Sequence, residues 1–242
     1  ECGISPAGLL TKMVAGDTIQ YRVTLIEGWT FRQALQAIWR SEKIAARLQS
    51  ASDQELAALL EIDRRSPEGQ LFPDTYFYSA GTTDVEILRR AHSRLQQMLA
   101  SAWESRLGAL PYDNAYEALI LASIIEKESA LGTERGHISG VFIRRLESGM
   151  RLQSDPTVIY GLGENYSGDL TRADLAAATA YNTYRIEGLP PTPIALAGME
   201  SISASLNPLP SEYLYFVARG DGSHEFSSNL AEHNDAVNRY QR

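Results

Sequence analysis

Two glutamates stand where an apolar run ends: ALILASIIEKES, residues 118–129, carries Glu126 and Glu128 on either side of Lys127. A hydrophobic segment that delivers carboxyls at its end is a way to make a protonated acid, because desolvation disfavours the charged form and raises the pKa toward neutrality. Read as a helix, Leu121, Ile124, Ile125 and Glu128 share one face by their i+3, i+4 and i+7 spacings, whereas Glu126 falls beside Ala122 and Ser123. The two acids therefore meet different surroundings, and Glu128, in the bulky apolar stripe, is the candidate acid. The competing account is that both glutamates merely end a buried helix and reach solvent.

Other polar groups suited to a site cluster later in the chain. Gln153, Ser154 and Asp155 stand immediately before Pro156 in GMRLQSDPTVIYG, residues 149–161. The proline biases Asp155 away from helix, so the stretch reads as a loop that holds hydrogen-bonding groups outward, or as an Asx-type turn that satisfies only local backbone. Tyr181, Asn182 and Thr183 in AYNTY lie close to the rigid GLPP turn at 188–191, a combination that suits a sugar-binding wall or a packed corner. LFPDTYFYSA, residues 71–80, gathers Phe72, Tyr76, Phe77 and Tyr78 around a Pro-Asp turn. Aromatics in a loop stack on sugar faces or plug a core.

Several chemistries are excluded. The single cysteine, Cys2, cannot form an internal disulfide, and the four histidines have no metal-ligand spacing, so no redox, zinc or cofactor site is expected. A formal net charge of −8 argues against a nucleic-acid footprint and for a neutral or glycan ligand. Hydrophobic residues at 44% and charged residues at 21% of 242 are those of an ordinary globular protein. The longest apolar run is well short of the ~20 residues of a membrane span, and a chain that starts at Glu1 reads as the excised soluble part of a longer protein.

The elements that position these residues follow from caps and periodicity. Ser5, Pro6 and Gly16 bracket a short helix, and residues 18–26 alternate as a half-buried strand through Ile19, Tyr21, Val23 and Leu25. Capping boxes at Thr30/Gln33, Ser52/Glu55 and Thr83/Glu86 open helices, the last running to about residue 107, and Thr171 with Asp174 opens a short one by the same logic. A helix is expected over 133–148 and another over 229–240, with a hairpin between 213–218 and 225–227 turning at Gly220, Asp221 and Gly222. The residues RRSPEG, 64–69, look like a boundary. The expected class is α+β: a small LysM-like α/β subdomain over 1–66, then a larger mixed domain over 67–242 with helices packed on short antiparallel strands. The LysM likeness rests on residues 21–38, YRVTLIEGWTFRQALQAI.

Taken together and in order, FPDTY at 72–76, ASIIEKES at 122–129, GMRLQSDPTVIYG, AYNTY, GLPP and YLYFV at 213–217 make the chain closely resemble the MltG family, the YceG-like endolytic murein transglycosylases of bacteria. The resemblance runs from about residue 21 to the C-terminus. It implies a carbon–oxygen lyase that cuts nascent peptidoglycan strands between MurNAc and GlcNAc, leaving 1,6-anhydro-MurNAc ends. It also implies a site in the cell envelope on the periplasmic side of the inner membrane, an N-terminal membrane anchor absent from this sequence, and association with cell-wall synthases. The family's catalytic glutamate falls in the EKE[ST] segment and is placed at Glu128, which precedes Ser129, with Glu126 as the fallback. Glu126, Ser129, Gln153, Ser154, Asp155, Tyr181, Asn182, Thr183 and Tyr76 are expected to bind substrate. Two other readings stay open: a muramidase in which Asp155 or Glu126 serves as second carboxylate, and a non-catalytic glycan-binding module.

Overall fold

The computed structural model describes residues 3, 5–14, 19–62 and 66–241. Cys2, the Gly16 stop, Thr18 of the expected strand and Arg64 of the expected boundary lie outside them. The elements in order are α1 (Pro6–Val14), β1 (Gln20–Thr24), α2 (Phe31–Arg40), α3 (Asp53–Leu59), β2 (Thr75–Ser79), α4 (Asp84–Glu104), α5 (Ala115–Glu128), α6 (Arg135–Glu147), α7 (Asp155–Leu162), α8 (Arg172–Ala176), α9 (Met199–Leu206), β3 (Tyr215–Ala218), β4 (His224–Ser227) and α10 (Leu230–Tyr240). The class is α+β, helices with two short antiparallel ribbons. Among the described residues no helix is long and apolar enough to cross a membrane.

The capping boxes at Thr30, Ser52, Thr83 and Thr171 form as expected, each hydroxyl accepting the N3 amide and each N3 side chain answering the cap. The aromatic stretch after Pro73 is a strand rather than a loop. β2 pairs antiparallel with β1, with Val23 opposite Tyr76 and Tyr21 opposite Tyr78. Alternation along a strand then turns Tyr76 and Tyr78 inward and leaves Phe77 55% exposed. β1, β2, α2 and the first half of α4 enclose one core, built on Val23, Leu25, Phe31, Ile38, Leu71, Tyr76, Ile87 and Leu88. This core takes residues from both sides of the 66/67 division expected from sequence, because the partner strand of β1 lies beyond it.

A second core surrounds α5, which packs most heavily on α9 and also on α4, α6 and α7. Two of its elements depart from expectation. The segment after Gln153 is helical from Asp155, since a proline in the first turn has no amide that the helix needs. α9, MESISASL, was not foreseen. Of its serines Ser201 and Ser205 are buried, and Ser205 Oγ donates to Ile202 O at 2.8 Å, an i−3 return that small hydroxyl side chains make inside helices.

Candidate active site

Residues 118–125 of α5 are all buried. The helix is therefore apolar on every side, and the stripe inferred from helical phase does not by itself separate Glu126 from Glu128. Their partners do. Glu126 has a side chain only 5% exposed. It accepts Arg135 Nη2 at 3.1 Å and the Gly198 amide at 2.9 Å, while Arg135 also meets Glu200. Glu126 is thus held as a paired carboxylate that ties α5 to α6 and to the start of α9.

Among the described residues Glu128 has no such cation contact. Its Oε1 accepts the Ser154 hydroxyl at 2.5 Å. Burial pushes the carboxyl up to about 7, opposed by the Ser154 hydrogen bond, with the Asp155 charge raising it further and Arg145 lowering it. Its position as the last residue of α5 acts in the same direction as burial, because the negative end of a helix dipole disfavours a carboxylate. An acid with this proton affinity is partly protonated at neutral pH and can give up and take back one proton.

Ser154 is itself fixed. It is buried at the N-cap of α7. Its amide donates to Thr183 Oγ1 at 2.9 Å, Thr183 Oγ1 lies 2.8 Å from Thr157 Oγ1, and the Gln153 amide donates to Thr183 O at 3.1 Å. Asp155 is exposed and its Oδ1 accepts the Tyr184 hydroxyl at 2.6 Å. Gln153 is exposed and left-handed, at φ 53°. The buried Arg145 holds this corner, donating Nη1 to Leu152 O at 2.7 Å and Nε to Leu214 O at 2.7 Å. Among the described residues no group of three or more His, Cys, Asp or Glu is placed to hold a metal.

A family model, that of the YceG-like family, matches residues 1–239. The chain belongs to the YceG-like family. An endolytic murein transglycosylase of Bacillus subtilis (strain 168) is 31% identical over 255 residues, covering 98% of this chain and 70% of that protein. One from Streptococcus pneumoniae serotype 2 (strain D39 / NCTC 7466) is 34% identical over 175 residues, covering 70% of this chain and 31% of that protein. The alignment therefore spans under a third of the pneumococcal relative's length. A crystal structure of a yceG-like protein from Listeria monocytogenes matches at a TM-score of 0.72 and 31% identity, covering 95% of this chain and 80% of that one.

Within this YceG-like fold the residues expected to bind substrate fall into two sets. Ser154 bonds Glu128 and the Asp155 charge acts on it, while the neighbouring Gln153 faces Arg145. Several others are engaged in structure. Tyr76 lies in the first core with its hydroxyl on Phe72 O at 2.7 Å, because the strand alternation of β2 turns it inward; it is not a sugar-facing aromatic. Asn182 is buried, and its Nδ2 donates to the carbonyls of Asp174, Leu175 and Ala177, so it clamps the end of α8. Thr183 is buried and holds Ser154. Ser129 ends α5, with its amide on Ile125 O and its hydroxyl on Leu131 O. Tyr181 is half-buried, its hydroxyl 2.8 Å from Thr192 Oγ1. Arg145 and Tyr184 were missed as site residues. An arginine pair, Arg144 and Arg145, set among Val141, Phe142, Ile143 and Leu146 was the available sign of the first.

Proposed function

We propose that this chain is an endolytic murein transglycosylase that cleaves the MurNAc–GlcNAc bond of glycan strands and leaves 1,6-anhydro-MurNAc ends, with Glu128 as its acid and base. Family membership and the names of the Bacillus and pneumococcal relatives support the murein substrate and the reaction class. The observation that carries the residue assignment is the contact between Ser154 and Glu128: a hydroxyl at 2.5 Å on a carboxyl held near neutrality.

The chemistry then needs one carboxyl. Protonated Glu128 gives its proton to the glycosidic oxygen as the bond to the muramyl anomeric carbon breaks. The C6 hydroxyl of the same sugar closes on that carbon, and its proton passes to the Glu128 carboxylate, restoring the acid. Because the nucleophile is tethered, effective molarity replaces the second carboxylate that water-using glycosidases employ. Ser154 steadies the carboxylate form between the two transfers, and Gln153 and Asp155 stand where they can orient the sugar. Residues 1–66, with their LysM-like stretch, act as the strand-gripping segment and 67–242 as the catalytic one. We place the full protein on the periplasmic side of the inner membrane, anchored beyond this sequence and associated with cell-wall synthases.

Digestion of purified murein, followed by liquid chromatography and mass spectrometry, tests reaction and residue together. The wild type is expected to release anhydro-muramyl ends, Glu126→Gln to retain them and Glu128→Gln to release none. Reducing ends alone would replace this reading with a muramidase pairing Glu128 with Asp155, whose charge acts on it, or with Glu126. Binding to strands without cleavage would leave a glycan-binding module.

A further inference from the structure

Glu68 is a buried acid that the reaction above does not use. It is 6% exposed, and among the described residues no lysine or arginine bonds it. A buried carboxyl without a cation is costly and calls for a specific set of donors. Its Oε1 accepts the amides of Phe31 at 2.8 Å and Gly69 at 3.1 Å, which places it at the N-terminal end of α2, where the helix dipole favours an anion. Its Oε2 accepts the Tyr160 hydroxyl at 3.2 Å. The first oxygen serves local backbone. The second reaches across to α7, the helix that carries Ser154 at its N-cap.

α7 is well placed to transmit that contact. The Ser154 carbonyl accepts both the amide and the hydroxyl of Thr157, so the serine moves with the helix. Tyr160 lies six residues on, about 9 Å along the axis at 1.5 Å per residue. Its ring stands edge-on to Tyr181 with centroids 4.8 Å apart, and a side chain at Gly161 would come within 3.1 Å of the Tyr181 Cβ. α7 also borders a cavity of about 970 Å³, lined among others by Glu68, Lys127, Ile159 and Tyr160. Lys127 brings the end of α5 to that lining and Glu128 is not in it. The Glu68–Tyr160 hydrogen bond is made between two of the lining residues.

We propose that Glu68 and Tyr160 are positioning residues for catalysis: the bond between them sets the orientation of α7 and so aims the Ser154 hydroxyl at Glu128. Through it the start of α2, whose Phe31 amide holds Glu68, is coupled to the carboxyl's geometry. The proposal rests on Glu128 being the acid.

Tyr160→Phe is the test, because it removes one hydroxyl, keeps the ring packing and leaves Glu68 its two backbone donors. Release of soluble muropeptides from murein is measured for the wild type, Tyr160→Phe, Ser154→Ala, the double variant and Glu128→Gln, with melting temperatures alongside. Tyr160→Phe is expected to lower kcat about tenfold with KM changed less than about twofold, the pattern of a misaimed catalytic group. In the Ser154→Ala background the same substitution is expected to cost less than a further ~2-fold, since the group it aims is gone. Wild-type kcat in Tyr160→Phe overturns the proposal, as do losses that multiply in the double variant, which would mark a role independent of Ser154. Turnover by Glu128→Gln overturns the catalytic reading and this one with it. An inactive Glu128→Gln beside a fully active Tyr160→Phe overturns this one alone.

Discussion

Replacing Glu128 with glutamine is expected to stabilise the protein above neutral pH while removing its activity. The carboxyl binds its proton near pH 7 in the folded chain against an ordinary value of 4.5. Between those values the folded state carries a proton that the unfolded state has released, so the stability this group contributes is fully present below about 4.5 and is lost as pH rises to about 7. At 1.36 kcal/mol per decade the full loss is about 3 kcal/mol. Glutamine has the same shape, offers an oxygen to Ser154 and carries no charge to desolvate. Urea unfolding of both proteins at pH 5 and pH 8 measures the effect. The expected gain is under about 1 kcal/mol at pH 5 and about 2–3 kcal/mol at pH 8, or about 4–10 °C in Tm at pH 8 for a chain of this size. Glu68, also pushed up to about 7 by burial, titrates in both proteins and cancels in the difference. An equal gain at the two pH values, or a variant less stable at pH 8, would refute the account of Glu128 as a desolvated acid.

Two further outcomes follow from the same contacts. Turnover by a general acid is lost as pH rises through its pKa, near 7 here. Ser154→Ala removes the hydrogen bond that lowers that value, so the alkaline limb of the kcat profile should move to higher pH while the maximum falls roughly 10- to 100-fold; an unmoved limb contradicts the role given to Ser154. Asn182→Ala removes the buried amide that donates to the Asp174, Leu175 and Ala177 carbonyls, of which the first keeps the Ala177 amide, and is expected to lower stability by about 1–3 kcal/mol, read by calorimetry. A loss below about 1 kcal/mol would return Asn182 to the list of substrate contacts.

What the sequence made visible divides by the range of the interactions involved. Thr30, Ser52, Thr83 and Thr171 each meet a partner three residues on, so their caps were readable from adjacent letters, and Gly220–Asp221–Gly222 marked the β3–β4 turn in the same way. β2 was opaque because Tyr76, Phe77 and Tyr78 are all aromatic. Which of them faces inward is decided by β1, more than fifty residues earlier. α9 was hidden by its serines, poor helix formers in isolation, of which Ser205 here finds a backbone acceptor inside the core. At the site, the acid pair and the Gln153–Ser154–Asp155 cluster stood out as dense polar runs. Their meeting did not, since Ser154 and Glu128 are 26 residues apart. Arg145 and Glu68 were less legible still: the first takes a carbonyl 69 residues away and the second a phenol 92 residues away.

The burial of α5 on every side bears on when, as well as where, the carboxyl is held. Eight consecutive buried residues make this helix a natural candidate for the last segment to open, the part whose amides exchange with solvent only on global unfolding. Loops and ribbons at the surface can then fray and re-form while the preceding turn of α5 keeps the Glu128 carboxyl in register. On the proposed reading, the acid is mounted at the end of the most deeply buried helix, and adaptation to an irregular polymer is left to the surface elements.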